Sequence, residues 1–260
     1  MELSKTASAF GLHSYNKPSP DGKAFERFYS TASALLERGG MKPTYVGIEG
    51  DGYPDDYKKC GSRVHQKLVN AGFDGISGLS IVVNPQGSDE PSYDNFATIS
   101  FGFIESIQEA TLCFVVNELF VQFASGAYDD AWKTFLDLNT WDFGYGFSGN
   151  VEKQPEFHIL GLDNGNLTAT EQSELNAWYG ALPDQRLDRL RGIYTYNFVS
   201  MRQLDNDVIN GVTLRQFIEQ RQLGEIRLLT DYGLHLWRLD EAEVDQARMQ
   251  LQESAVLISA

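Results

Sequence analysis

Gly144-Tyr145-Gly146-Phe147-Ser148-Gly149 has the glycine spacing of a dinucleotide-binding loop. That chemistry needs an apolar strand before the loop and a helix N-terminus after it, so that backbone amides meet the pyrophosphate. Here Trp141-Asp142 comes before and Asn150 to Pro155 after, which leaves a flexible glycine-rich connection as the reading. Pro54-Asp55-Asp56-Tyr57-Lys58 carries the letters of the PD…(D/E)xK nuclease signature. A metal site of that kind draws its acids and lysine from separate strands, whereas these residues are adjacent. A chain of net charge −15 also repels a nucleic-acid substrate. Asp205-Asn206-Asp207 with Asn210-Gly211 hints at a calcium loop, but Ile209 occupies the fifth position and the glycine comes one place late. The histidines, His13, His65, His158 and His235, are scattered, and neither HExxH nor GxSxG occurs. His13 and His235 alternate within expected strands and read as half-buried sheet residues. No cofactor, no metal and no catalytic residue is expected from these patterns. A Ser/His/Asp set assembled from distant residues, around His158 or His235, stands as the enzymatic alternative.

Charge carries more information than the motifs. From Leu68 to Glu152 the chain has 12 acids and a single base, Lys133, which is −11 of the total −15. Acids in such a segment have no local partners for ion pairs, and their field attracts a cationic surface. Nucleic acid and anionic membrane are disfavoured as direct partners because they carry the same sign. A basic protein fits. The candidate contact residues are Asp89, Glu90 and Asp94, followed by Asp51, Asp55 and Asp56. All six fall in expected loops, where an acid has no capping role to explain it. Cys60 and Cys113 match no metal spacing and imply no disulfide framework, which suits a reducing compartment. Met1-Glu2-Leu3-Ser4-Lys5 does not open a signal peptide, and no run reaches the ~20 apolar residues of a spanning helix. The expected location is the cytosol.

These residues need a scaffold, and 260 residues with 16 Phe, 12 Tyr and 4 Trp are ample for a folded core. Ala7 to Tyr15 reads as a strand. Asp21 caps a helix with apolar positions at Phe25, Phe28, Tyr29, Ala32, Leu35 and Leu36. Tyr45 to Glu49 is a short strand, followed by a loop over 50–56 and a short helix ending near Gly72. Ile81-Val83, Thr98-Phe103 and Thr111-Val116 follow without intervening helices, which predicts an antiparallel meander with the third strand central. Asp129 and Asp130 begin a helix, and Trp141 to Pro155 is an irregular candidate boundary. Thr168/Glu171, Thr213/Gln216 and Asp240/Glu243 are capping boxes. Gly192 to Val199 reads as a strand, and Glu225 to Leu239 as a hairpin. The aromatic clusters Tyr194, Tyr196, Phe198 and Tyr232, Trp237 read as core. Every basic residue after Lys153 is Arg, suited to carboxylates in the first half or on a partner. The expected fold is α+β, a largely antiparallel sheet with helices packed against it, as one domain over 1–260 or as halves 1–150 and 151–260.

Gly192-Ile193-Tyr194-Thr195-Tyr196-Asn197-Phe198, Gly211-Val212-Thr213-Leu214, Leu234-His235-Leu236-Trp237 and the closing Val256-Leu257-Ile258 resemble the C-terminal part of the immunity protein 52 family. The resemblance covers about a quarter of the chain and rests on core and turn residues. It implies a non-catalytic protein that binds and neutralises a restriction-endonuclease-like toxin of an interbacterial, type VI secretion system. Such a toxin is expected to be basic, since it binds phosphates. Two other readings stand beside it: a small-molecule hydrolase with a dispersed site, and a chaperone or adaptor that binds a secreted protein without inhibiting it.

Overall fold

The computed structural model describes residues 4–53, 56–84, 96–209, 211–252 and 254–258. The fold is α+β with antiparallel strand pairing, and the chain divides into two compact units. The first comprises residues up to Thr140 together with Ser148–Leu160; the second comprises Trp141–Phe147 and Gly161 onward.

In the first unit, β1 (Thr6–Tyr15) leads to helix α1 (Gly22–Arg38), β2 (Tyr45–Gly50), β3 (Asp56–Lys59) and α2 (Arg63–Asn70). The meander β4 (Ile76–Val83), β5 (Ala97–Ile104) and β6 (Glu109–Asn117) follows, then α3 (Gly126–Leu136). The strand order is β1-β6-β5-β4-β2-β3, so β6 lies inside the sheet, as its doubly apolar sequence predicts. Alternation along each strand divides the sheet into two faces. One face packs Phe10, Phe101 and Phe114 against Phe25 and Phe28 of α1 and Tyr128 and Phe135 of α3. Phe10 stacks on Phe114 with centroids 4.6 Å apart. Asp21 caps α1 by accepting from the Ala24 amide.

The other face carries small and polar residues. Its short covering helix, α4 (Pro155–Leu160), lies over β1 and β6. Gly11 makes that approach feasible: a Cβ there would sit 2.5 Å from Ile159 Cγ2. Close by, His13 is buried with its Nδ1 3.1 Å from Glu109 Oε1, and the Thr111 hydroxyl donates to the same oxygen at 3.1 Å. Burial pushes the Glu109 carboxyl up, but the bonds from His13, Tyr15 and Thr111 outweigh it and hold the group below the ordinary glutamate value.

β7 (Phe143–Asn150) occupies the glycine-rich stretch that the sequence reads as irregular. The reason is tertiary. Gly144 and Gly146 lie opposite Phe198 and Tyr196 on the neighbouring strand, a pairing with a distant segment that no local pattern announces. The second unit continues with α5 (Ala169–Gly180), α6 (Pro183–Asp188), β8 (Tyr196–Val199), α7 (Met201–Leu204), β9 (Asp207–Ile209), β10 (Val212–Thr213), α8 (Leu214–Arg221), β11 (Glu225–Leu228), β12 (His235–Arg238) and α9 (Glu241–Leu251). The strands order as β11-β12-β8-β7, and the core gathers Ile193, Val199, Leu204, Trp237, Val244 and Leu251 among others. All three capping boxes form.

Other boundaries differ from expectation for local reasons. β8 starts at Tyr196, not Gly192, because the Asn197 side chain takes both the Tyr194 N–H and its C=O. α3 is capped by Ser125, which accepts from the Tyr128 amide, so Asp129 and Asp130 fall inside the first turns. There Asp129 accepts from the Trp132 indole and Asp130 faces Lys133. Residues 56–59 form a strand rather than continuing the loop.

Two outcomes are expected. Gly11→Ala destabilises by about 1–3 kcal/mol because Ile159 must move. Combined with Ile159→Ala, it costs less than the sum of the single changes, as read by denaturant unfolding. Glu109→Gln costs about 1–3 kcal/mol at neutral pH. A lowered carboxyl contributes stability fully above the ordinary value of 4.5 and loses it as pH falls through the folded value, so this variant flattens the acid limb of the stability curve.

Candidate partner-binding surface

The turn after β2 is built around Gly50 (φ 147°), where a Cβ would lie 2.3 Å from the Gly75 carbonyl. With that space open, the Asp51 N–H donates to the Gly75 carbonyl at 2.9 Å, and the carboxylate is exposed next to the segment that carries Asp74. The antiparallel registers bring the end of β2, the starts of β3, β4 and β6 and the end of β5 to this same end of the sheet. Asp51, Asp56, Asp74 and Glu105 are all exposed there. Asp56 is thus the first residue of an edge strand, not a loop residue as expected. Lys58 bonds it, and that hydrogen bond and charge hold its carboxyl below the ordinary value.

Asp55, Asp89, Glu90 and Asp94 lie outside the described residues. The residues flanking the 85–95 segment are described: the Phe96 N–H donates to the Val83 carbonyl at 2.8 Å, and Asn84 is tied to Thr44. These anchors stand at the opposite end of the sheet from Asp51 and Asp56. The two segments that carry the candidate acids are therefore anchored, at their described ends, at opposite ends of the sheet. Asp74 and Glu105 were legible as acids but not as sharing the sheet end of Asp51, because only strand pairing places them there.

The polar face holds a second group of titratable residues. One cross-strand row runs Tyr57, Gly47, Ser80, Ser100, Cys113, Gly11. Burial raises the Tyr57 phenol, partly offset by its bond to Ser80 and reinforced by Glu49, Glu156 and Cys113. Burial likewise raises the Glu156 carboxyl on α4 and the Cys113 thiol. The Glu49 and Glu156 carboxyl groups both act on the Tyr57 phenol, so two acids stand on this face where a positive group would be attracted. The cavity beside Glu156 measures about 10 Å³, room for roughly one water.

In the second unit Arg191 donates to the Tyr145 hydroxyl at 2.6 Å and lies 5.2 Å from the Trp178 ring centre. Arg186 stacks on the same indole at 4.8 Å. Tyr145 stacks on Tyr194 at 4.6 Å, and Tyr196, Phe198 and Trp237 are buried, so these rings serve the core. Tyr232, at 44% exposed, departs from that expectation. Arg202 pairs with Asp188 and Asp184 of its own unit. His235 meets the Gly233 carbonyl at 2.9 Å and Arg215 at 3.4 Å rather than a serine or aspartate. Asp205 ends α7 and Asp207 begins β9. Among the described residues no group of three His, Cys, Asp or Glu is placed to hold a metal, and no helix is long and apolar enough to cross a membrane.

No family model and no curated protein matches the chain. Among solved structures it is similar to a Pseudomonas aeruginosa T6SS protein, PA0821, with a TM-score of 0.60 at 11% identity, over 97% of this chain and 77% of that one. At that identity the likeness establishes a shared fold.

Proposed function

We propose that this chain is an immunity protein that binds and neutralises a basic, restriction-endonuclease-like toxin of an interbacterial type VI secretion system. The observation that carries this reading is the fold it shares, across 97% of its length, with a T6SS protein. The concentrated negative charge supports it. An acidic inhibitor is steered toward a phosphate-binding surface at high on-rate. The exposed acids at the strand ends of the first unit suit such a surface, and its polar face offers Glu49 and Glu156 to a cation. Binding requires no catalysis by this chain.

The test is co-expression with the toxin domain encoded beside the gene, scored by cell survival and by DNA cleavage in the purified mixture. Rescue through a stable complex without cleavage is expected. Rescue without a complex would point instead to an enzyme that reverses damage, and a complex that still cleaves DNA would point to an adaptor. Charge reversal at Asp89, Glu90 and Asp94 is expected to weaken toxin binding and reduce its salt dependence in titration calorimetry; unchanged affinity would remove that segment from the interface. Reversal at Asp51 and Asp56 tests the opposite end of the sheet separately.

A further inference from the structure

β11 is the last strand of the second unit's sheet, and among the described residues no strand pairs with its outer edge. The Leu229 N–H donates to the Leu234 carbonyl at 2.8 Å, which fixes the phase of the β11–β12 ladder. Glu225 and Arg227 then turn their backbone groups toward β12. Ile226 and Leu228 turn their N–H and C=O outward, with no partner among the described residues. Leu228 is 60% exposed, a large apolar side chain on an open edge.

The charges on this strand are self-complementary. A two-fold antiparallel pairing must match outward-facing residues with outward-facing residues. Centred on Ile226, it sets Glu225 opposite the partner's Arg227, in the close non-hydrogen-bonded position, and repeats that contact by symmetry. Centred on Arg227, it would oppose two arginines at the same close distance, which is unfavourable. Centred on Leu228, it would lose both ion pairs. Glu225 and Arg227 are exposed, and Glu225 makes no ion pair among the described residues.

We propose that β11 is the contact strand of a homodimer, paired antiparallel with β11 of a second copy about Ile226, with Glu225 of each copy opposite the partner's Arg227. The contact is small, so the dimer is weak and depends on concentration.

Sedimentation velocity of the full chain over a concentration series tests this without any toxin. The parent is expected to dimerise. Glu225→Arg and Arg227→Glu should each lose the dimer, since each sets like charges opposite one another. The two single variants mixed together should associate, because their strands are complementary, and the double exchange E225R/R227E should dimerise as the parent does. Thermal melting checks that each variant is folded. A parent that stays monomeric throughout would overturn the proposal, leaving the edge to a strand of some other protein. Single variants that dimerise like the parent, or a mixture that does not associate, would overturn it too.

Discussion

Antiparallel pairing of β1 with β6 is the contact on which the first unit depends. It joins a strand near the chain start to one about a hundred residues later, in continuous register from Ala7↔Asn117 to Tyr15↔Glu109. Both strands are buried on both faces, so neither can shift by one residue without turning its aromatic side chains to the wrong layer. On one face this pairing stacks Phe10 on Phe114 and gives α1 and α3 a surface to cover. On the other it brings His13 to Glu109 and leaves Gly11 open for Ile159. The helices, the buried polar network and α4 are all consequences of one register.

That register also explains how a chain segment with 12 acids and one base is tolerated. Acids within the ladders would face costly burial, and Glu109, the buried acid among the described residues of the segment, is satisfied by His13, Tyr15 and Thr111. The other described acids of the segment stand in half-buried or exposed positions, many of them at strand ends and helix turns. There they take side-chain bonds, as Asp129 does from the Trp132 indole, or face solvent. An acidic surface is thus the natural by-product of an apolar sheet whose connections are polar, and binding a basic protein would relieve its self-repulsion.

The second unit relies on different devices. Helices α5, α7, α8 and α9 begin at reciprocal side-chain caps, and strands β8 to β12 are short. Glycines on β7 pair with aromatic residues on β8, and the Arg186 and Arg191 guanidinium groups lie on the Trp178 ring. Arg suits this because its planar, weakly hydrated head can lie on a ring while its outer N–H groups bond a phenol or carbonyl.

Local chemistry made much of the fold legible. The α+β class, the β4–β6 meander, the interior position of β6, the Asp21 cap, the three capping boxes and the β11–β12 hairpin follow from periodicity and turn residues, which act over a few positions. What the sequence alone misread depended on distant partners. β7 is a strand because Phe198 and Tyr196 lie opposite its glycines, residues 192–195 are not because Asn197 takes Tyr194's backbone groups, and Asp56 sits on a strand because β2 is beside it. The candidate acids were visible as charges in loops. The opposite sheet ends at which their two segments are anchored, and the one end that exposes Asp51, Asp56, Asp74 and Glu105, were not. Composition fixes how much charge a chain carries, but only strand order and register decide which charges become neighbours.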